Sequence, residues 1–388
     1  MRKYVEIDDG VLVASDLIRG PVKIGGVILD CDGVLIDSRE SYDRAIIEGL
    51  SFIFEVLFKI KTLPVEVTRS EISMLRRTGG FNSDTDSLYV LSLMTFLAFP
   101  TDVLRRWGRA MREVEGDVQS KDLSTLIEGL SSRVDQEGPQ PIVTTTDGLL
   151  RDLLTFLSKS GRYFDVKAIE SMIFDYSLKN GVEEEVLLFR ELLKYDGDYG
   201  ESIVKTVLYD MYYGDEVVMR LFGRRPHFSY PRGLFRNESV TVSEAVLKGV
   251  SELIGRKLGM VTGRDSVTTI EVLGKLWEYF NPKACVFLLD EFMRGTPEVA
   301  GKPSPYGLIK SALAFEAVDD VIYVGNSTED LLMARSAENY GLRPIFIAVT
   351  GLSQDPKEEE ERFISQGADV IAKSLNDLPK VLKEVVVS

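Results

Sequence analysis

The chain is poor in the residues that build several common kinds of site. It has one histidine, His227, in 388 residues. That excludes a cage of histidines around a metal and leaves a Ser-His-Asp triad at most one candidate imidazole. It has two cysteines, Cys31 and Cys285, far apart and each inside an apolar, strand-like run. Two such thiols do not make a disulfide framework and predict a reducing compartment. Positive charge is in deficit: Lys+Arg 46 against Asp+Glu 61 gives a net charge of −15. That field disfavours nucleic acid and acidic membrane surfaces as partners, while a small phosphorylated ligand is compatible with a locally basic site. Long apolar runs are missing. The longest, "LYVLSLMTFLAFP" from Leu88 to Pro100, is too short to span a bilayer and predicts a buried helix. The opening "MRKYVEIDDGVLVAS" has no apolar core of a signal peptide, so a cytoplasmic location is expected.

What is present is 44% hydrophobic residues, enough for a sizeable core, over a length that suggests two domains. The apolar runs come in two styles. "GGVILD", "KLGMVTG", "ACVFLLD", "VIYVGN" and "RPIFIAVTG" are short, β-branched and end in Gly, Asp or Asn. Helical patterns separate the last four, which predicts a parallel sheet with right-handed crossovers. From Ser38 to about Leu247 the pattern is helical almost throughout, broken at Pro64, Gly79-Gly80, Pro100-Thr101, Gly138-Pro139 and Gly161. The expected fold is therefore an α/β, Rossmann-like core with a large helical module inserted after its first strand. The expected boundaries are 1–38 for an N-terminal extension and first strand, 39–247 for the helical module, and 248–388 for the rest of the core. Alternation around Asp9-Gly10 predicts a hairpin. "DPKEEEER", Asp355 to Arg362, reads as a solvated helix face.

The predicted strand ends carry polar groups. The first gives Asp30 and Asp32; the second gives Thr262, Gly263 and Arg264. The third is placed at Asp290, with Lys302 in a loop beyond it, and the fourth gives Asn326, Ser327 and Asp330. In a doubly wound sheet these ends converge on one crevice. Two carboxylates, a hydroxyl, a lysine, an amide and a further carboxylate suit phosphoryl transfer: a carboxylate attacks phosphorus, a lysine and a hydroxyl hold the phosphate, and a second carboxyl moves a proton.

"DCDGVLIDS", "VTGR", "GKPSP" and "GNSTED", in this order, resemble the four motifs of the haloacid dehalogenase superfamily. The position of the insertion is similar to that of an enlarged type 1 cap in the IA subgroup. The resemblance implies a Mg²⁺-dependent phosphatase acting on a small phosphorylated metabolite. It implies Asp30 as the nucleophile, Asp32 as acid and then base, Thr262 and Gly263 with Lys302 as phosphate binders, and Asp30, the Asp32 carbonyl, Asn326 and Asp330 as metal ligands. An acid at Asp32 argues against dehalogenation. Asn326 stands where the family usually has Asp, and an uncharged amide predicts weaker metal binding unless Asp330 or Glu329 moves in. A phosphomutase with the same intermediate and a non-catalytic binding protein are the alternatives. Nothing in the chain specifies an oligomeric state.

Other stretches have two readings. "RRTGGFNSDTDS" is a helix stop and restart with Ser83 or Asp84 as N-cap; it is also similar to a GGFN-type segment in a subgroup of the superfamily, which would let Arg76, Arg77, Phe81 and Asn82 read the substrate. Arg264 would bind phosphate or pair with Asp265. Asp37 and Ser38 would start the first inserted helix. "GRRPHFSYPRG" would let Arg224, Arg225 and His227 contact substrate, or is a hinge with surface arginines, the preferred reading. Cys31 reads as a small core residue. "GTPEVAGKPS" fails as a phosphate loop because Pro303 follows the lysine, and "NSDTDS" fails as a calcium loop for want of Gly and Glu at the required places.

Overall fold

The computed structural model describes residues 2–8, 10–18, 24–81, 83–118, 122–137, 148–160, 163–296, 301–316 and 320–385. The chain divides into two compact units, Met1–Ser38 with Glu238–Ser388, and Arg39–Asn237. The chain re-enters the first unit at Glu238 rather than at 248. The cause is local. Ser239–Val240 pairs antiparallel with Ile36–Asp37, so the two connecting segments are already stitched together ten residues before the expected boundary. Asp37 lies in that pairing, and the first inserted helical turn, Arg39–Asp43, begins directly after Ser38.

The first unit is built on an eight-stranded sheet. Its strands are β1 (Tyr4–Asp8), β2 (Val11–Ala14), β3 (Val27–Leu29), β6 (Leu258–Thr262), β7 (Cys285–Phe287), β8 (Asp320–Gly325), β9 (Arg343–Val349) and β10 (Val370–Ala372); β4 (Ile36–Asp37) and β5 (Ser239–Val240) form the small pair. The order across the large sheet is β1-β2-β10-β9-β8-β3-β6-β7. All neighbours from β10 to β7 are parallel, and β1 and β2 add an antiparallel hairpin at one edge. Asp9, in the expected hairpin turn, lies outside the described residues. Strand residues are apolar on both sides because both faces are covered. Val27 and Leu29 join one core with Met260, Val324 and Ile347, while Ile28 joins the other with Val261, Tyr323 and Phe346. β3 lies between β8 and β6, so successive strands run outward from it in opposite directions. That is the switch point of a doubly wound sheet, where a crevice opens at the carboxyl ends. One expectation fails here: Asp290 is not at a strand end, because β7 stops at Phe287 and Leu288–Met293 is helical.

The second unit is helical, with its own core. Its centre is aromatic: Phe58 stacks on Trp107, and Phe96 on Phe189. The helix Asp84–Leu97 is buried almost all round, which explains why its sequence is apolar without a stripe. Among the described residues no single helix is long and apolar enough to cross a membrane. Ser83 caps this helix, accepting from the Asp86 N–H. The breakers at 138, 139 and 161 lie outside the described residues.

Candidate active site

β3 ends at Leu29, and Asp30 is still in the ladder, donating its N–H to the Val324 carbonyl at 2.8 Å. A tight turn follows, with the N–H groups of Leu35 and Ile36 donating to the Cys31 carbonyl. Gly33 has φ 74° in this turn, and a Cβ there would lie 2.0 Å from the Asn326 amide nitrogen. Only glycine accepts both the left-handed backbone and that approach. The first strand's turn and the loop after β8 are thus pressed together, and Asp30, Asp32 and Asn326 share the carboxyl end of adjacent strands. Cys31 is fully buried, and burial pushes its thiol well up, so it is inert core.

Lys302 reaches back from its loop to this point. Its ammonium donates to Asp30 at 2.5 Å and to Asp330 at 2.7 Å. Burial alone would favour a neutral amine, but the two carboxylates overcome it and hold Lys302 above its ordinary value. Burial pushes the Asp30 carboxyl up to about 7, with the Lys302 charge opposing and the Asp330 charge reinforcing that rise. Asp330 behaves differently. Burial works against its charge too, but Lys302, Tyr323 and Ser327 donate to it and hold it below the usual carboxylate range.

Asp330 corrects an expectation. It was expected to ligate a metal, yet both of its oxygens are occupied. One accepts from Lys302 and the Tyr323 hydroxyl; the other accepts from the N–H groups of Asn326 and Ser327 and the Ser327 hydroxyl. Its side chain has 0% exposure. Ser327 and Asp330 form a reciprocal capping box on the helix Thr328–Glu338. Asp330 is a support for Lys302 and a cap, with no face left for an ion.

Thr262 closes β6, fully buried, its hydroxyl accepting from the Arg264 N–H at 3.2 Å. Gly263 is exposed, and a Cβ there would meet nothing within 4 Å, so its backbone faces open space. Arg264 pairs with Asp32 at 2.9 Å and Glu238 at 2.6 Å. It does not pair with Asp265, which instead caps the helix Ser266–Leu273 through the Thr268 N–H and hydroxyl. Asp290 accepts from the Ser266 N–H at 3.1 Å and belongs to the same helix start.

The expected specificity residues lie in the helical unit. Phe81 is fully buried in its core and is corrected to a packing residue. Arg76 pairs with Asp43 at 2.7 Å and Asp84 at 2.8 Å, tying three helix ends together, with its side chain one-third exposed. Arg77 is exposed, and Asn82 lies outside the described residues. Arg224 donates to the Tyr199 carbonyl and stacks on the Tyr199 ring, with half-buried His227 edge-on to the same ring. Sequence reasoning missed two residues around the site. Tyr323 left a signal, as a lone phenol in an aliphatic strand. Glu238 left only its acidity.

No protein-family model matches the chain, and no curated protein matches it. Among solved structures, one X-ray structure from the Northeast Structural Genomics Consortium aligns over 94% of this chain and 99% of its own, at 17% identity and a TM-score of 0.61. That likeness is one of fold. A phosphatase from Thermococcus thioreducens aligns over 88% and 99%, at 19% identity and a TM-score of 0.41. A protein provisionally named a phosphoglycolate phosphatase, from Lactobacillus plantarum, aligns over 93% and 100%, at 9% identity and a TM-score of 0.38. At those scores neither of the last two bears on this chain's chemistry.

Proposed function

We propose that the chain is a phosphatase of the haloacid dehalogenase superfamily, IA-like with an enlarged type 1 insertion, that hydrolyses a small phosphorylated metabolite through an aspartyl-phosphate on Asp30. One observation carries this reading. A lysine, Lys302, is held between a buried Asp30 and a saturated Asp330, at the carboxyl end of the sheet's central strand. Aspartate is a weak nucleophile toward a dianionic phosphate, because like charges repel. Lys302 beside it supplies the screening charge, and Asp330 keeps Lys302 in place.

The chemistry then has two halves. An Asp30 oxygen bonds to phosphorus as the bond to the leaving oxygen breaks, and Asp32 gives that oxygen its proton. Water next attacks the phosphorus, Asp32 takes the water's proton, and the bond to Asp30 breaks to release inorganic phosphate. The Thr262 hydroxyl and the open backbone at Gly263 hold phosphoryl oxygens. For Mg²⁺, the Asp30 carboxylate, the Asp32 main-chain carbonyl and the Asn326 amide oxygen are hard donors of the right type. Among the described residues no group of three Asp, Glu, His or Cys is arranged around a common point. The set therefore fits Mg²⁺ with a single charged ligand, Asp30, which is a weaker site than the four-residue set expected. Bound there, the ion would neutralise charge on the phosphoryl oxygens.

The test is phosphate release from a generic aryl phosphate, with and without Mg²⁺. Asp30→Asn is expected to lower turnover by at least ~10⁴-fold. Turnover that survives this substitution, or wild-type inactivity across a broad phosphoester panel, overturns the reading. Asn326 favours a second reading, a binding protein that does not turn its ligand over. Asn326→Asp separates the two: a marked gain in Mg²⁺-dependent rate counts for the enzyme. A phosphomutase would need a bisphosphate activator and release little phosphate, so free phosphate formed at the turnover rate excludes it.

A further inference from the structure

Arg264 is a buried cation with an unusual pair of partners. Its side chain is 1% exposed and that of Glu238 is 0% exposed, whereas that of Asp32 is 35% exposed. One arm of the guanidinium donates to Glu238 Oε2 at 2.6 Å and the other to Asp32 Oδ1 at 2.9 Å. A buried arginine that served only the fold would be neutralised by the buried glutamate. Here the rigid fork is turned so that fixing one arm aims the other. The backbone leads to the same place, because the Arg264 N–H is tied to Thr262 Oγ1 at 3.2 Å. Asp32 Oδ2 has no hydrogen-bond partner among the described residues. One oxygen of Asp32 is therefore held and the other is open.

We infer that Arg264, anchored by Glu238, is the positioning residue that aims Asp32 for proton transfer. The inference rests on the phosphatase reading above and adds a role to it. When Asp32 is a carboxylic acid, Oδ1 still accepts from Arg264 while the Oδ2 hydroxyl gives its proton to the leaving oxygen. When it is a carboxylate, Oδ2 takes the proton of the attacking water and Oδ1 remains held. A flexible carboxyl would sample many orientations at both moments, and geometry of this kind controls the rate of a proton transfer.

The experiment compares two substrates in the full-length protein: a simple alkyl phosphate, whose alkoxide needs a proton to leave, and 4-nitrophenyl phosphate, whose phenolate does not. The variants are Arg264→Lys, which cannot serve both carboxylates in the fork geometry, and the double variant Arg264→Met/Glu238→Gln, which leaves no buried unpaired charge to unfold the chain. The expected result is a fall of about 10²-fold in kcat/KM for the alkyl phosphate and a several-fold smaller fall for the nitrophenyl ester. A burst of nitrophenolate should accompany it, since release of phosphate from Asp30 also uses Asp32. Equal losses on both substrates in both variants would show a role in folding alone and overturn the inference while leaving the phosphatase reading intact. Wild-type inactivity on both substrates overturns the phosphatase reading and takes this inference with it.

Discussion

Asp330 carries five hydrogen bonds on two oxygens, and its substitution is the most informative single change at the residue scale. Asp330→Asn keeps the shape but removes the charge that shares Lys302 with Asp30. Breaking a buried pair in this way is expected to lower stability by about 3–5 kcal/mol, read from urea unfolding, and to reduce turnover beyond what unfolding explains. Gly33→Ala tests the turn beneath it. A left-handed backbone at alanine costs about 1–2 kcal/mol, and the new methyl must also displace Asn326. Loss of activity in folded Gly33→Ala protein would show that the register between these two loops matters to the site; full activity would show that it does not. The misreading of Asp330 has a physical cause. An acid four residues after Asn326 fits a ligand spacing, and Ser-x-x-Asp ahead of a helix equally fits a capping box. Spacing cannot say which way a carboxylate faces; here Lys302 and the Tyr323 hydroxyl on one oxygen, and the Asn326 and Ser327 donors on the other, decide it.

At the scale of elements, the strands leading to the site were legible because each is a short apolar run closed by a polar residue. β3, β6, β8 and β9 lie where their sequences predict. β7 did not end as expected because "LLDEF" is apolar enough to extend a strand and helical enough to start a helix. The Arg264–Glu238 pair was invisible, since Glu238 precedes β5 and Arg264 follows β6, and neither segment carries a pattern that marks the other. The helix Ile203–Phe222 holds a different lesson. It breaks at Gly214, φ 71° and ψ 171°, where the chain at Gly233 passes so close that a Cβ would lie 2.3 Å from the Gly233 nitrogen. Just before the break, Asp210 is fully buried, accepting from the Tyr199 hydroxyl and the Phe228 N–H. Burial pushes its carboxyl from 3.8 up to about 6. Between those values the folded chain keeps a proton that the unfolded chain releases. The stability this group contributes is full below pH 3.8 and is lost as pH rises through about 6. Asp210→Asn removes the dependence. The variant should therefore gain on wild type as pH rises from about 4 to about 8, read as the difference in urea midpoints. A constant difference would place the Asp210 titration elsewhere.

The whole molecule is two separately cored units on one chain, and the sequence showed this through its change of periodicity at Ser38. The return point was less legible because β5 has only two residues, too few for any pattern. Its pairing with β4 supports an excision. Removing 39–237 and joining Ser38 to Glu238 through an Asn-Gly turn should leave a folded sheet unit, because Ile36 already faces Val240 and Asp37 faces Ser239. A cooperative thermal transition and far-ultraviolet dichroism of an α/β protein would bear this out; an aggregated product would show that the sheet unit needs the insertion. The same layout sets a problem of timing during synthesis. β3 is central in the sheet, yet both of its neighbours, β6 and β8, are encoded after the insertion. At roughly 5–20 residues per second, the ribosome needs on the order of ten to fifty seconds to reach β6 after making β3. Through that interval Val27, Ile28 and Leu29 have no strand beside them, while the helical unit emerges with everything its own core requires. Nascent chains stalled before β8 should therefore be the species that chaperones hold.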